Sequence, residues 1–140
     1  MDINKGFQIE EPRLFIPWNI NEKTLNDLFE HEELHHVITG YYTATCKSLN
    51  GLFCKIGFHF EPRENGHLNE LEFFRERYDN QQESFDDFQN HFEKEFGQPS
   101  NSRKGTEGFT DFLWVIKDIQ IVHYVFNRYG PEEHMRIKKL

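Results

Sequence analysis

Gly40-Tyr41-Tyr42-Thr43-Ala44-Thr45-Cys46-Lys47-Ser48-Leu49-Asn50-Gly51-Leu52-Phe53-Cys54-Lys55-Ile56-Gly57-Phe58-His59-Phe60 is two runs of aromatic and β-branched residues around an Asn-Gly turn. A two-residue turn would pair Leu49 with Leu52 and put Lys47 opposite Cys54, among apolar neighbours. A three-residue loop, Leu49-Asn50-Gly51, pairs Ser48 with Leu52. Cys46 then faces Cys54, Ala44 faces Ile56 and Tyr42 faces Phe58. Tyr41, Thr43, Thr45, Lys47, Lys55 and His59 fall on the other side. A one-residue slip exchanges the faces of a strand, so the register that separates apolar from polar side chains is expected. Gly51 suits the positive φ that such a loop needs.

Working outward towards the N-terminus, Leu14-Phe15-Ile16 between Pro12 and Pro17 reads as a short edge strand. Asn21 is a good N-cap for a helix, with Ile20 and Leu25 at its staple positions and Leu25, Leu28 and Phe29 as its apolar stripe. That helix is expected to end between Glu30 and His36. Beyond the hairpin, a turn at Pro62 to Gly66 leads to a strand from Leu68 to Arg75 and a polar connection from Glu76 to Glu83. A second helix follows, capped by Ser84 with Asp87 at the capping-box position. It carries Phe85, Phe88, Phe92 and Phe96 on one stripe and stops at Gly97 and Pro99. Gln98 to Gly108 reads as a long loop suited to contacts. Strands are expected at Phe109 to Lys117, at Ile119 to Arg128 and, after a Gly130-Pro131 turn, through Met135 and Ile137. The run Phe112 to Ile116 is apolar on both faces and is expected at the sheet's centre.

The expected fold class is therefore α+β. It is one domain, 1–140, with a mainly antiparallel sheet of six or seven strands packed on two helices, in the order β-α-β-β-β-α-β-β-β. The halves, about 20–76 and 84–140, read as a diverged α-β-β-β repeat. Leu71 and Met135 stand at one spacing, as do Phe73 and Ile137.

Charge narrows the function classes. The chain carries a formal −8. Residues 61–95 hold 11 acids and 4 bases, whereas residues 96–140 hold 5 acids and 7 bases. Such a balance argues against nucleic acid and anionic membranes and permits a basic protein partner. The start is polar and no run is long and apolar enough to span a bilayer, so a cytoplasmic protein is expected. Cys46 and Cys54 are too few for a disulfide framework and are expected as buried free thiols.

One stretch has a catalytic pattern. In His31-Glu32-Glu33-Leu34-His35, histidines at i and i+4 of a helix would share a face and hold a zinc ion, and Glu32 would act as general base for its water. Over these five residues the chain resembles zinc metallopeptidases. A third ligand would come from His59, His67 or an acid. Against this, the stretch lies at the end of the expected helix, and no further histidine follows at the extended spacing. Pairing Cys46 or Cys54 with His59 as nucleophile and base fails because they fall on opposite faces. His123, between Ile121 and Val125, reads as a packing histidine.

The expectation is a small acidic non-enzymatic protein-binding module, specifically an immunity-type inhibitor of a basic toxin or nuclease, with no cofactor. Its partner-binding candidates are Glu70, Glu72, Asp86, Asp87, Tyr41 and Phe53. The alternatives are a zinc-dependent hydrolase built on His31, Glu32 and His35, and a scaffold whose aromatic sheet cups an apolar small ligand.

Overall fold

A computed structural model describes residues 1–61, 66–75, 80–127 and 131–140. The turn expected from Pro62, the start of the connection at Glu76 and the turn at Gly130 lie outside the described residues.

The hairpin forms in the three-residue register. Strands β4 (Tyr41–Ser48) and β5 (Leu52–Phe60) pair Ser48 with Leu52, Cys46 with Cys54 and Tyr42 with Phe58. All three loop residues have positive φ: Leu49 at 53°, Asn50 at 61° and Gly51 at 89°. The loop is held from two sides. The Glu10 carboxylate accepts the backbone N–H of Asn50 at 2.9 Å and of Gly51 at 2.8 Å. From below, His91 Nδ1 donates to the Leu49 carbonyl at 2.7 Å. These bonds offset the strain of a buried leucine in the left-handed region.

Around this hairpin the sheet is larger, and the helical share smaller, than the α+β expectation. Among the described residues there are ten strands and two helices. The sheet-dominated fold replaces a six- or seven-stranded sheet on two helices. The strand order is β2-β1-β4-β5-β6-β10-β9-β8-β7, with β3 also on the outer edge of β4. Three strands were not expected. In β1 (Gly6–Glu11) the alternation is real, Phe7 and Ile9 inward and Gln8 outward, and it pairs β2 (Leu14–Pro17). By contrast, β3 (His35–Ile38) and β7 (Asn101–Lys104) are exposed throughout, so neither shows the period of a half-buried strand. The loop expected from Gln98 to Gly108 thus contains an edge strand.

The remaining strands are β6 (Leu68–Phe74), β8 (Thr110–Ile116), β9 (Ile119–Asn127) and β10 (Pro131–Lys139). The expectation that Phe112 to Ile116 lies centrally fails: β8 is one strand in from the β7 edge. Trp114 is buried while Val115 on the other face is 52% exposed. The centre is the antiparallel pair β6 and β10, which matches Phe73 with Met135 and Leu71 with Ile137. On one side the sheet runs β10-β9-β8-β7; on the other it runs β6-β5-β4, and β4 carries both β3 and the β1–β2 hairpin. From each helix onward the chain adds four strands rather than three, and the two runs meet at the β6–β10 pair.

Both helices cover one face of the sheet. The first, α1 (Glu22–Leu28), is capped by Asn21, whose side chain accepts from the Thr24 N–H at 2.8 Å. It stops at Leu28, earlier than expected, and turns closed by Glu30 and Glu32 follow. The second, α2 (Gln81–Phe96), is capped by Asn80 rather than Ser84. Asn80 accepts from the Glu83 N–H at 3.1 Å. Ser84 therefore lies inside the helix and is buried, so Asp87 is no capping-box partner. Phe88 and Phe92 press onto the sheet, with the Phe92 ring 5.9 Å from Phe73 and 5.8 Å from Trp114. Phe29, just past α1, meets Phe58 at 5.8 Å. Each such ring, fully buried, contributes about 1.5–3 kcal/mol.

Candidate functional site

With the helices on one face, the other face of the sheet is open. A ladder of polar and aromatic side chains crosses its middle. Alternation places Tyr41 on β4, His59 on β5, Glu70 and Glu72 on β6, His134 and Arg136 on β10 and Tyr124 on β9 outward, opposite the buried Phe58, Leu71, Phe73, Met135 and Ile121. His59 Nε2 donates to Glu72 Oε2 at 2.8 Å. Arg136 reaches Glu70 Oε1 at 3.4 Å and Glu72 Oε1 at 3.5 Å. At each end a tyrosine stacks on a histidine: Tyr41 on His59 with centroids 4.5 Å apart, Tyr124 on His134 at 4.9 Å. Gly57 makes room for the first stack, because a Cβ there would sit 2.8 Å from Tyr41 Cε2.

The ladder is half-buried, and its acid–base behaviour follows. The hydrogen bond from His59 holds the Glu72 carboxyl below its ordinary range, with help from Arg136 and against burial. Burial pushes the Tyr41 hydroxyl up, and the Glu72 charge adds to this. Burial also lowers His134, and Arg136 lowers it further. His134 Nε2 is buried without a hydrogen bond; Glu132 Oε2 lies 3.7 Å away.

Two hollows flank the ladder. One, of about 360 Å³, lies over β7, β8 and β9 against Asn101, Arg103, Asp111, Leu113, Val122 and Tyr124. Arg103 Nε is 3.1 Å from Asp111 Oδ2 across its rim. The other is a notch in the β4 edge. β1 pairs β4 at Lys47 and Ser48, and β3 pairs it from Thr43 towards Tyr41. Between them an opening of about 470 Å³ is lined by Pro12, Glu32, Glu33, His35, Thr45 and Lys55, among others.

Four of the six partner-binding candidates, Glu70, Glu72, Tyr41 and Phe53, share the open face. The acids Glu70 and Glu72 are not free charges there, because Arg136 and His59 engage them. Phe53 is 66% exposed. Asp86 and Asp87 sit on the opposite side, on α2, where Asp87 pairs with Arg75 and lies 3.5 Å from His91. The residues of the zinc pattern are not on a helix. α1 ends before His31, and His35 pairs with Thr43 in β3. Glu32 and His35 line the notch, while exposed His31 lies 3.9 Å from Glu30. His59 belongs to the ladder, and among the described residues no three His, Cys, Asp or Glu side chains group as metal ligands. Cys46 and Cys54 are free and buried.

Sequence reasoning missed Tyr124, His134 and Arg136. The signal was present: once Met135 and Ile137 point inward, Arg136 must point out. It also missed a buried polar cluster beneath α2. His123 is fully buried, with Nε2 at 2.8 Å from Glu133 Oε1 and Nδ1 at 2.8 Å from Gln89. Ser84 Oγ donates to the other Glu133 oxygen at 3.0 Å. Burial lowers the His123 pKa, against the pull of Glu133.

The charge is divided between the two sides. On the helical side, α2 carries five acids and one lysine, and α1 carries Glu22 and Asp27 against Lys23. The open face has Lys47, Lys55, Arg103, Arg136 and Lys138 against Glu11, Glu70, Glu72, Asp111 and Glu132, and is close to neutral.

No protein-family model and no curated protein matches the sequence. Among solved structures, the chain is similar to a DUF4309 family protein, YjgB from Bacillus subtilis, at 12% identity. The match covers 86% of this chain and 78% of that one, with a TM-score of 0.42. No helix among the described residues is long and apolar enough to cross a membrane.

Proposed function

We propose that the protein is a non-enzymatic protein-binding module that docks a partner across the open face of its sheet. One observation carries the reading: the middle of that face is a half-buried lattice of Tyr41, His59, Glu72, Arg136, His134 and Tyr124, with Phe53 and Phe126 exposed beside it. Tyrosine and arginine are the residues from which interface hot spots are built, and a lattice already fixed by ion pairs loses little freedom on binding. The formal charge of −8 favours a basic protein, and the near-neutral face then sets the register of contact. An immunity-type inhibitor of a basic toxin or nuclease is the specific form we favour.

Affinity capture from the producing organism, followed by titration of the captured protein, tests this. Tyr41→Ala and Arg136→Ala are each expected to weaken binding by about 2 kcal/mol or more. Gln82→Ala, on exposed α2, is expected to leave it unchanged. Equal loss from all three, or none from the first two, would overturn the assignment of the face.

A further inference from the structure

The covered side of the hairpin holds a feature with no part in that binding role. Cys46 and Cys54 are directly opposed in the β4–β5 register, and both thiols are free, at 2% and 4% exposure. We propose that they are a site of reversible disulfide formation, made and broken by exchange with a small disulfide of the glutathione class.

Geometry supports it. Opposed residues of an antiparallel pair hold their Cβ atoms about 4.5–5.5 Å apart, and a disulfide takes about 3.5–4.5 Å, so a small closure of the strands suffices. The three-residue loop fixes this register, and Glu10 and His91 hold the loop. Neither thiol can drift from the other while the hairpin is folded. Their chemistry is also unequal. The Cys54 thiol donates towards Cys46, which lowers the Cys46 pKa and raises that of Cys54. Ser48 Oγ, 3.9 Å from Cys46 Sγ, adds to the stabilisation of a Cys46 thiolate.

The exchange balances in two steps. The Cys46 thiolate attacks one sulfur of the small disulfide, forming a mixed disulfide and releasing one thiolate. Cys54, losing its proton to solvent, attacks the Cys46 sulfur, forms the Cys46–Cys54 bond and releases the second thiolate. The two cysteines are oxidised by two electrons, and the small disulfide is reduced to two thiols. Burial slows the first step but leaves the equilibrium unchanged. The bond would tie β4 to β5 beneath Tyr41, Phe53 and His59.

The test is a redox titration of the whole chain in glutathione buffers, native and in urea, approached from reduced and from oxidised protein until the two agree. Alkylation and intact mass give the fraction that has lost two hydrogens. The native chain is expected to form the internal bond at glutathione ratios more reducing by roughly tenfold or more than the unfolded chain, because the fold raises the effective concentration of one thiol at the other. Cys54→Ser is expected to show only the glutathione adduct. A smaller shift, a shift to more oxidising ratios, or a folded wild type dominated by mixed disulfide would overturn the proposal.

Discussion

The two halves of the sheet run through the same order of elements and close their cores differently. In the second half α2, of 16 residues, covers the sheet with Phe85, Phe88 and Phe92. In the first half α1 has 7 residues and buries Leu25 only. The missing cover comes from elsewhere: the β1–β2 hairpin brings Phe7, Ile9 and Ile16, and Trp18 is tied by its Nε1–H to the Ile3 carbonyl at 2.7 Å. The second half also spends buried volume on polar groups, His123, Glu133, Ser84 and Gln89, where the first buries mainly hydrocarbon. One plan therefore tolerates two kinds of cover, provided the strand faces keep their alternation. The halves meet at β6 and β10, the strands that supply the middle of the open-face ladder.

The sharpest way to break this comparison is to remove α2's central anchor. Phe92 is fully buried and meets Phe73, Phe96, Trp114 and His123. Phe92→Ala is expected to cost about 3–5 kcal/mol in urea unfolding, since it leaves a cavity among four packed rings. Leu25→Ala is expected towards the low end of about 2–5 kcal/mol, because the β1–β2 hairpin shares the cover of that half. Equal losses would mean that the halves depend on their helices alike.

A smaller effect separates the covered face from the open face by pH. His123 has its folded pKa lowered by burial, from an unfolded value of about 6.5. Between those two values the unfolded chain binds more protons, so stability falls as pH drops below about 6.5 and stops falling below the folded pKa. His134, also lowered, adds a loss of the same sign. Glu72 acts later: its folded pKa is depressed, so its contribution is lost as pH falls through the low carboxylate range. His123→Gln keeps a donor for Glu133 and removes the titration. Its stability is expected to decline less between pH ~7 and ~5 than that of the wild type, in urea titrations at each pH. An unchanged slope would assign the acid response to His134 and the open face.

Local pattern and tertiary context divide what could be read from the sequence. The hairpin register was legible because a period of two and an Asn-Gly turn are local, and one slip would have buried Lys47 among the apolar residues. The strands β3 and β7 were not legible, since an exposed edge strand buries no face and so has no period. The Asn80 cap was obscured by Ser84, a good cap residue one turn later whose hydroxyl is instead used by Glu133. The pairing of β6 with β10 joins residues 62 to 68 positions apart, so no local signal specifies it. The candidate site was half legible. Tyr41, Glu70 and Glu72 follow from alternation alone, but that Arg136 engages both acids follows only from strand order. Charge counting has the same limit: it cannot see that Arg136 and His59 engage Glu70 and Glu72, or that α2 carries five acids against one lysine on the helical side.

The smallest expected effect on stability belongs to the other phenylalanine of this comparison. Phe53 stands on β5 opposite Lys47, on the open face, and is 66% exposed, whereas Phe92 is fully buried against the covered face. Phe53→Ser removes little area from the folded core, because that area was never taken from water. Its cost comes from lost cross-strand contact and strand preference, and is expected within about 0.5 kcal/mol. A ring of that size left in water beside an ordered ladder is a liability for solubility unless something covers it part of the time. Binding of the captured partner is therefore expected to weaken in Phe53→Ser while the urea midpoint stays near the wild-type value. A variant that unfolds early but binds normally would place Phe53 in the structural core of the hairpin and take it out of the docking face.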